Sequence, residues 1–134
     1  MAFLIDTCIW IDVERGALSP AEVAAVTGQQ PVYLSPVTIA ELTFGVELAT
    51  DPSIRERRRA ALRRLRRKPL LVIDGETGEV FGQMVANLKS SGRNHRHRVQ
   101  DLWLASQCVQ HGFRLLTRNK SDFDDIPALD LVLI

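Results

Sequence analysis

Five short apolar runs, each set apart from the next by segments with helical spacing, limit what this chain can fold into. The runs are residues 2–5, Val32-Tyr33-Leu34, Leu70-Leu71-Val72-Ile73, Phe113-Arg114-Leu115-Leu116 and Leu131-Val132-Leu133-Ile134. They have the length of strands, and their nearly continuous apolar character fits strands buried on both faces. The segments between them carry helix signals. Ile9, Trp10 and Val13 recur at helical spacing in 7–14, and Ser19-Pro20-Ala21-Glu22 places a cap, a proline and a reciprocal glutamate before a helix that Gly28 ends. Ser35-Pro36 opens a helix running to about residue 49, and Asp51-Pro52 opens another that Pro69 stops. Segment 76–89 buries Val80, Met84, Val85 and Leu88, and 98–110 ends at His111-Gly112. Strand and helix alternate throughout, with no internal repeat. This predicts an α/β fold, a short parallel sheet of about five strands covered on both faces, in a single domain over 1–134.

Composition narrows the class of function. A hydrophobic fraction of 46% and a charged fraction of 25% are those of a packed domain and argue against disorder. No apolar stretch approaches the roughly 20 residues that span a bilayer. The first residues lack the basic start and long apolar middle of a signal peptide and read as a strand. Cys8 and Cys108 have neither metal-knuckle spacing nor a disulfide framework, so a reducing, cytoplasmic setting is expected. The net charge of +1 conceals segregation: nine of the residues in 55–68 are Arg or Lys, and Arg93, His95, Arg96, His97 and Arg98 form a second cluster. Such density suits a polyanion such as nucleic acid. The run 55–68 reads equally as a solvated helix face opposite an apolar stripe of Ile54, Ala61, Leu62 and Leu65.

Four acids stand out against this framework. In open parallel sheets, ligands bind beyond the carboxyl ends of the strands. Asp6 and Asp122 lie just past apolar runs, Glu41 lies in the second turn of the helix after the second run, and Asp101 lies near the start of its helix. All four can reach one edge of the sheet. Each also has a purely structural reading. Asp6 and Asp122 suit helix caps, Asp124 and Asp125 compete with Asp122 for any metal role, and Asp101 suits a helix dipole. Glu41 is the hardest to explain that way, because its helical neighbours are Val37, Thr38, Phe44 and Gly45, and a lone buried carboxylate is costly. Carboxylates gathered from distant segments point to a hard divalent cation, Mg²⁺ or Mn²⁺, and through it to phosphate chemistry. Arg93, Arg96 and Arg98 directly precede Asp101, and Arg118 precedes Asp122, so these four are the expected phosphate contacts.

The blocks that hold these acids also resemble a known family. Leu4-Ile5-Asp6-Thr7-Cys8-Ile9-Trp10-Ile11, Ser35-Pro36-Val37-Thr38-Ile39-Ala40-Glu41-Leu42-Thr43-Phe44-Gly45-Val46, Gln100-Asp101-Leu102-Trp103-Leu104-Ala105-Ser106 and Gly112-Phe113-Arg114-Leu115-Leu116-Thr117-Arg118-Asn119-Lys120-Ser121-Asp122-Phe123 are similar to those of PIN-domain ribonucleases. The resemblance is strongest to VapC toxins of bacterial toxin–antitoxin pairs. It implies a three-layer α/β/α PIN-like domain and a Mg²⁺- or Mn²⁺-dependent endoribonuclease. It implies structured RNA (tRNA or rRNA) as substrate, inhibition of translation, a neutralising VapB-type antitoxin and a homodimer. The family's acidic quartet, catalytic and metal-binding, falls on Asp6, Glu41, Asp101 and Asp122, with supporting groups on Thr7, Thr117 and Asn119. Cys8 departs from the pattern, since relatives more often carry Asn or Ser there. The competing reading is a non-catalytic nucleic-acid-binding module centred on 55–68. Trp10, Phe44 and Leu48 are expected in the core, or else on a surface that meets a protein partner.

Overall fold

The computed structural model describes residues 1–134. Strand β1 (Phe3–Ile5) leads into helices α1 (Thr7–Glu14) and α2 (Pro20–Thr27). Strand β2 (Val32–Tyr33) is followed by α3 (Pro36–Leu48), α4 (Pro52–Leu65), α5 (Gly75–Ser90) and α6 (Val99–His111). Strands β3 (Arg114–Thr117) and β4 (Asp130–Leu133) come last. The capping chemistry read from the sequence forms. Ser19 and Glu22 make a reciprocal box at the start of α2, Ser35 accepts from Val37 N above Pro36, and Asp51 accepts from Ser53 N and Ile54 N. Gly112 ends α6 at φ +68°, a conformation that disfavours any side chain.

The strands form one parallel sheet in the order β2-β1-β3-β4. Alternation along the central strands divides the core into two. Leu4 and Leu115 pack with Leu102, Leu104, Met84, Leu88 and Phe123 under α5 and α6. Phe3, Ile5 and Leu116 pack with Ile9, Leu18 and Val23 under α1 and α2. Successive side chains point to opposite faces, so two helical layers sandwich the sheet, and the result is the expected three-layer α/β/α architecture. No helix is long and apolar enough to cross a membrane.

The sheet has four strands where the sequence predicts about five. The apolar run 70–73 makes only a bridge between Leu70 and Leu34, closed by Leu34 N to Pro69 O and Leu71 N to Leu34 O, both 2.8 Å. Gln107 Nε2 then donates to Leu71 O at 2.6 Å, a side-chain bond in place of a backbone ladder. Val72 is 55% exposed, because the segment leaves the sheet edge there. Apolar character alone does not register whether a neighbouring strand continues. Asp122, read as suiting a helix cap, instead ends a 3₁₀ turn over Lys120–Asp122, and a second 3₁₀ turn, Arg96–Arg98, precedes α6.

The strand order sets the position of any ligand. The chain leaves β1 towards β2 on one side and returns to β3 on the other, so the crevice between the carboxyl ends of β1 and β3 is the topological switch point.

Candidate metal centre at the carboxyl edge of the sheet

Asp6 follows β1, and its main-chain NH donates to Leu116 O at 2.9 Å, which holds the residue beside β3. Its side chain is buried. Thr117 Oγ1 donates to Asp6 Oδ2 at 2.8 Å, and Cys8 Sγ donates to the same oxygen at 3.2 Å. The Thr117 oxygen in turn accepts from Asn119 N at 3.0 Å. Asn119 therefore enters through its main chain rather than its amide side chain. Both side-chain donors meet Oδ2, which leaves Oδ1 as the uncommitted oxygen of Asp6.

Glu41 approaches from α3. Thr7 Oγ1 donates to Glu41 Oε1 at 2.9 Å and lies 3.0 Å from Thr38 Oγ1. Thr7 and Thr38 are both buried, so this pair forms a fixed support for a half-buried carboxylate. Burial, and then the charge of Asp6, raises the Glu41 carboxyl above its usual range, against the Thr7 hydrogen bond.

Asp101 stands in the first turn of α6, and its carboxyl is pushed up to about 7. Burial is the main cause, followed by the charges of Asp6, Asp122 and Glu41, with Arg98 opposing. The four acids from four separate segments thus share one electrostatic field. Cys8, half-buried, has its thiol pushed up to about 12 by burial and by Asp6, so it remains a protonated donor and not a soft ligand.

This arrangement fits a hard divalent cation. The field is negative, the groups facing it are carboxylate oxygens, and the Asp101 carboxyl is pushed up to about 7 by burial and by that field. No three acidic, histidine or cysteine side chains lie close enough together here to hold a metal ion by themselves.

The surrounding arginines divide. Arg98 Nη1 and Nη2 meet Asp125 Oδ2 and Oδ1 at 2.7 Å each, and Nη2 also donates to Asp122 O at 2.5 Å. Its guanidinium is committed inside the protein rather than presented to a phosphate. Arg93 reaches Asp125 Oδ2 at 3.3 Å from the surface, and Arg118 Nη1 donates to Asp12 Oδ2 at 2.9 Å. Arg96 is exposed and has no acidic partner among the ion pairs. Asp125, paired with Arg98, is removed from competition with Asp122, and Asp124 is exposed.

The family is settled by the match of the PIN-domain family model to residues 3–129. The chain belongs to the PIN-domain family. A curated relative, ribonuclease VapC5 of Mycobacterium tuberculosis, is 31% identical over 96% of this chain and 88% of its own length. Among solved structures, a member of the VapBC family of toxin–antitoxin systems, VapBC-5 of the same organism, is 27% identical, with a TM-score of 0.73 over 99% of this chain and 97% of that one. The DNA-bound VapBC of Salmonella typhimurium shares the fold at a TM-score of 0.84 and 22% identity, covering 99% of this chain and 98% of that one. The chain is thus placed in the VapC branch of PIN domains.

Two parts of the site were not legible as such. Thr38 carried a signal, since it lies one helical turn before Glu41 on the same face of α3. The pairing of Arg98 with Asp125 carried none, because three acids lie within four residues there and spacing does not select among them.

Proposed function

We propose that this chain is a metal-dependent endoribonuclease, the toxin of a toxin–antitoxin pair. The observation that carries the reading is that carboxylates from four separate segments share one field at the switch point, with Asp101 pushed up to about 7 by burial and then by the charges of Asp6, Asp122 and Glu41. Asp6 and Asp101 would hold Mg²⁺ or Mn²⁺ most directly, and Glu41 and Asp122 would hold its waters or a second ion. Such an ion supplies charge neutralisation at a phosphate and a lowered pKa for a bound water. The protein contributes the placement. Thr117 and Cys8 fix Asp6, Thr7 fixes Glu41, and Asp101, once ionised, would help hold the cation. Arg96 is the freest cation near Asp101, and Arg93 and Arg118 are surface residues able to exchange their carboxylate partners for phosphates.

Support for RNA comes from the ribonuclease names of relatives such as VapC5. We place structured RNA, tRNA or rRNA, as the substrate, with inhibition of translation in the cytoplasm as the consequence. A VapB-type antitoxin is the proposed partner. A groove of about 400 Å³ between α1, α3 and α4, lined by Trp10, Leu42, Ile54 and Leu62, opens at Glu41 and is suited to an apolar segment of such a protein. Phe44 and Leu48, expected in the core, are instead 65% and 61% exposed, and we assign them to the contact of a homodimer.

The competing reading, a nucleic-acid-binding module without catalysis, is favoured by one feature. Arg55, Arg57, Arg59 and Arg63 are engaged by glutamates, whereas Arg64, Arg66 and Arg67 have no such partner. Incubation of the purified protein with total RNA in Mn²⁺ or EDTA decides between them. The expected result is discrete fragments that need the metal and disappear in Asp6→Asn. Identical patterns in every lane, with RNA still bound, would establish the binding module.

A further inference from the structure

The acid cluster has a neighbour of opposite design. Arg98 and Asp125 are the least exposed ion pair of the molecule, at 17% and 5% for the two side chains. Both guanidinium termini are used in a two-point fork, and one of them also takes the Asp122 carbonyl. Arg98 ends the 3₁₀ turn that leads into α6, three residues before Asp101. Asp125 lies three residues beyond Asp122, which ends the other 3₁₀ turn. The main-chain bonds of these turns are local, Arg98 N to His95 O and Asp122 N to Asn119 O, and none joins one turn to the other. The guanidinium is the polar link between them.

We infer that the Arg98–Asp125 pair is a clamp that sets the separation of Asp101 and Asp122, and so positions the two halves of the cation site, an inference that rests on the metal-binding reading above. One planar group holds a side chain and a main-chain carbonyl of the 120–125 turn at fixed points. The turn therefore cannot slide along the start of α6 without breaking two short charge-assisted bonds. A lysine would keep the charge but would not reproduce the fork. Arg98 is accordingly a positioning residue, and its cation is spent before any RNA arrives. Arg93, on the exposed side of the same carboxylate, is the weaker outer partner.

The test is Mn²⁺ titration of the full chain by calorimetry, in wild type, Asp125→Asn and Arg98→Lys, with circular dichroism to verify folding at the titration temperature. RNA binding in EDTA is measured alongside by filter retention. The clamp predicts that each folded variant binds Mn²⁺ about 10- to 100-fold more weakly, as loss of a group that orients a ligand does, with RNA retention unchanged. If Asp125→Asn does not fold, Arg98→Lys carries the test, since it leaves no buried carboxylate without a cation beside it. Mn²⁺ affinity within twofold of wild type in a folded variant would overturn the clamp, as would a loss of RNA retention with unshifted Mn²⁺ binding. Absence of Mn²⁺ binding by the wild type would instead defeat the metal reading itself.

Discussion

Asp122 and Asp125 sit three residues apart at the same turn and belong to opposite electrostatic worlds. Burial first, and then the charges of Asp6, Asp122 and Glu41, push the Asp101 carboxyl up to about 7. Asp125 is held below the usual carboxylate range, chiefly by its hydrogen bonds to Arg98. One region is a set of like charges supported by hydroxyls and a thiol, which the proposed cation would balance. The other is a closed pair of opposite charges. The contrast teaches that the acid the fold leaves in surplus is the candidate for function, whereas the well-partnered acid is structural. Acidic residues cannot be sorted by count or spacing, only by what stands opposite them.

The largest effect should come from breaking the closed pair. Arg98→Met would leave the Asp125 carboxylate with only the exposed Arg93 beside it, and loss of the inner partner of such a pair costs about 3 kcal/mol. Urea unfolding should show that loss, while Asp122→Asn, which removes surplus charge, should leave metal-free stability unchanged or raised. Equal destabilisation by both would erase the distinction between the regions.

An intermediate effect should appear in the pH dependence, and here the two regions have opposite signs. The Asp101 carboxyl is raised on folding, so its contribution is full below about pH 4 and is lost as pH rises through about 7. Asp125 is lowered, so its contribution is present above about pH 4 and is lost as pH falls through its depressed value. Metal-free protein should therefore lose stability between about pH 4 and pH 7, on the order of 2 kcal/mol once solvent screening of a half-buried group is allowed for. Asp101→Asn should flatten that slope, and millimolar Mn²⁺ should reverse it by favouring the ionised site. A slope that survives Asp101→Asn would move its origin elsewhere in the cluster.

The smallest effect sharpens the comparison from outside. Glu56 on α4 engages Arg59 and Arg63, and all three side chains are exposed. Glu56→Gln should leave stability unchanged in the same urea experiment, because solvent screens an exposed pair. A loss as large as that of Arg98→Met would mean that burial does not separate these ion pairs.

Much of the fold was legible because it depends on local rules. The caps at Ser19, Ser35 and Asp51 formed as read, since a capping side chain needs only the next three residues to act. Apolar run length marked four true strands. It overcalled Leu70–Ile73, whose pairing with β2 ends after a single bridge. Phe44 and Leu48 were read towards the core by their hydropathy and lie exposed instead, because α3 presents that side to neither layer of the sandwich. Arg98 was read as a phosphate contact by its nearness to Asp101 in the chain, and the 120–125 turn claims it.

By itself, the sequence determined the alternation of strand and helix, the helix ends and the set of acids able to reach the sheet edge. These follow from side-chain chemistry acting over a few residues. Only the tertiary structure decided which acids share a field, which hydroxyls fix them and which arginine is spent inside the protein. Charge interactions depend on distance through space and on burial, and the contacts that set both, Thr117 to Asp6, Thr7 to Glu41 and Arg98 to Asp125, join residues far apart in the chain.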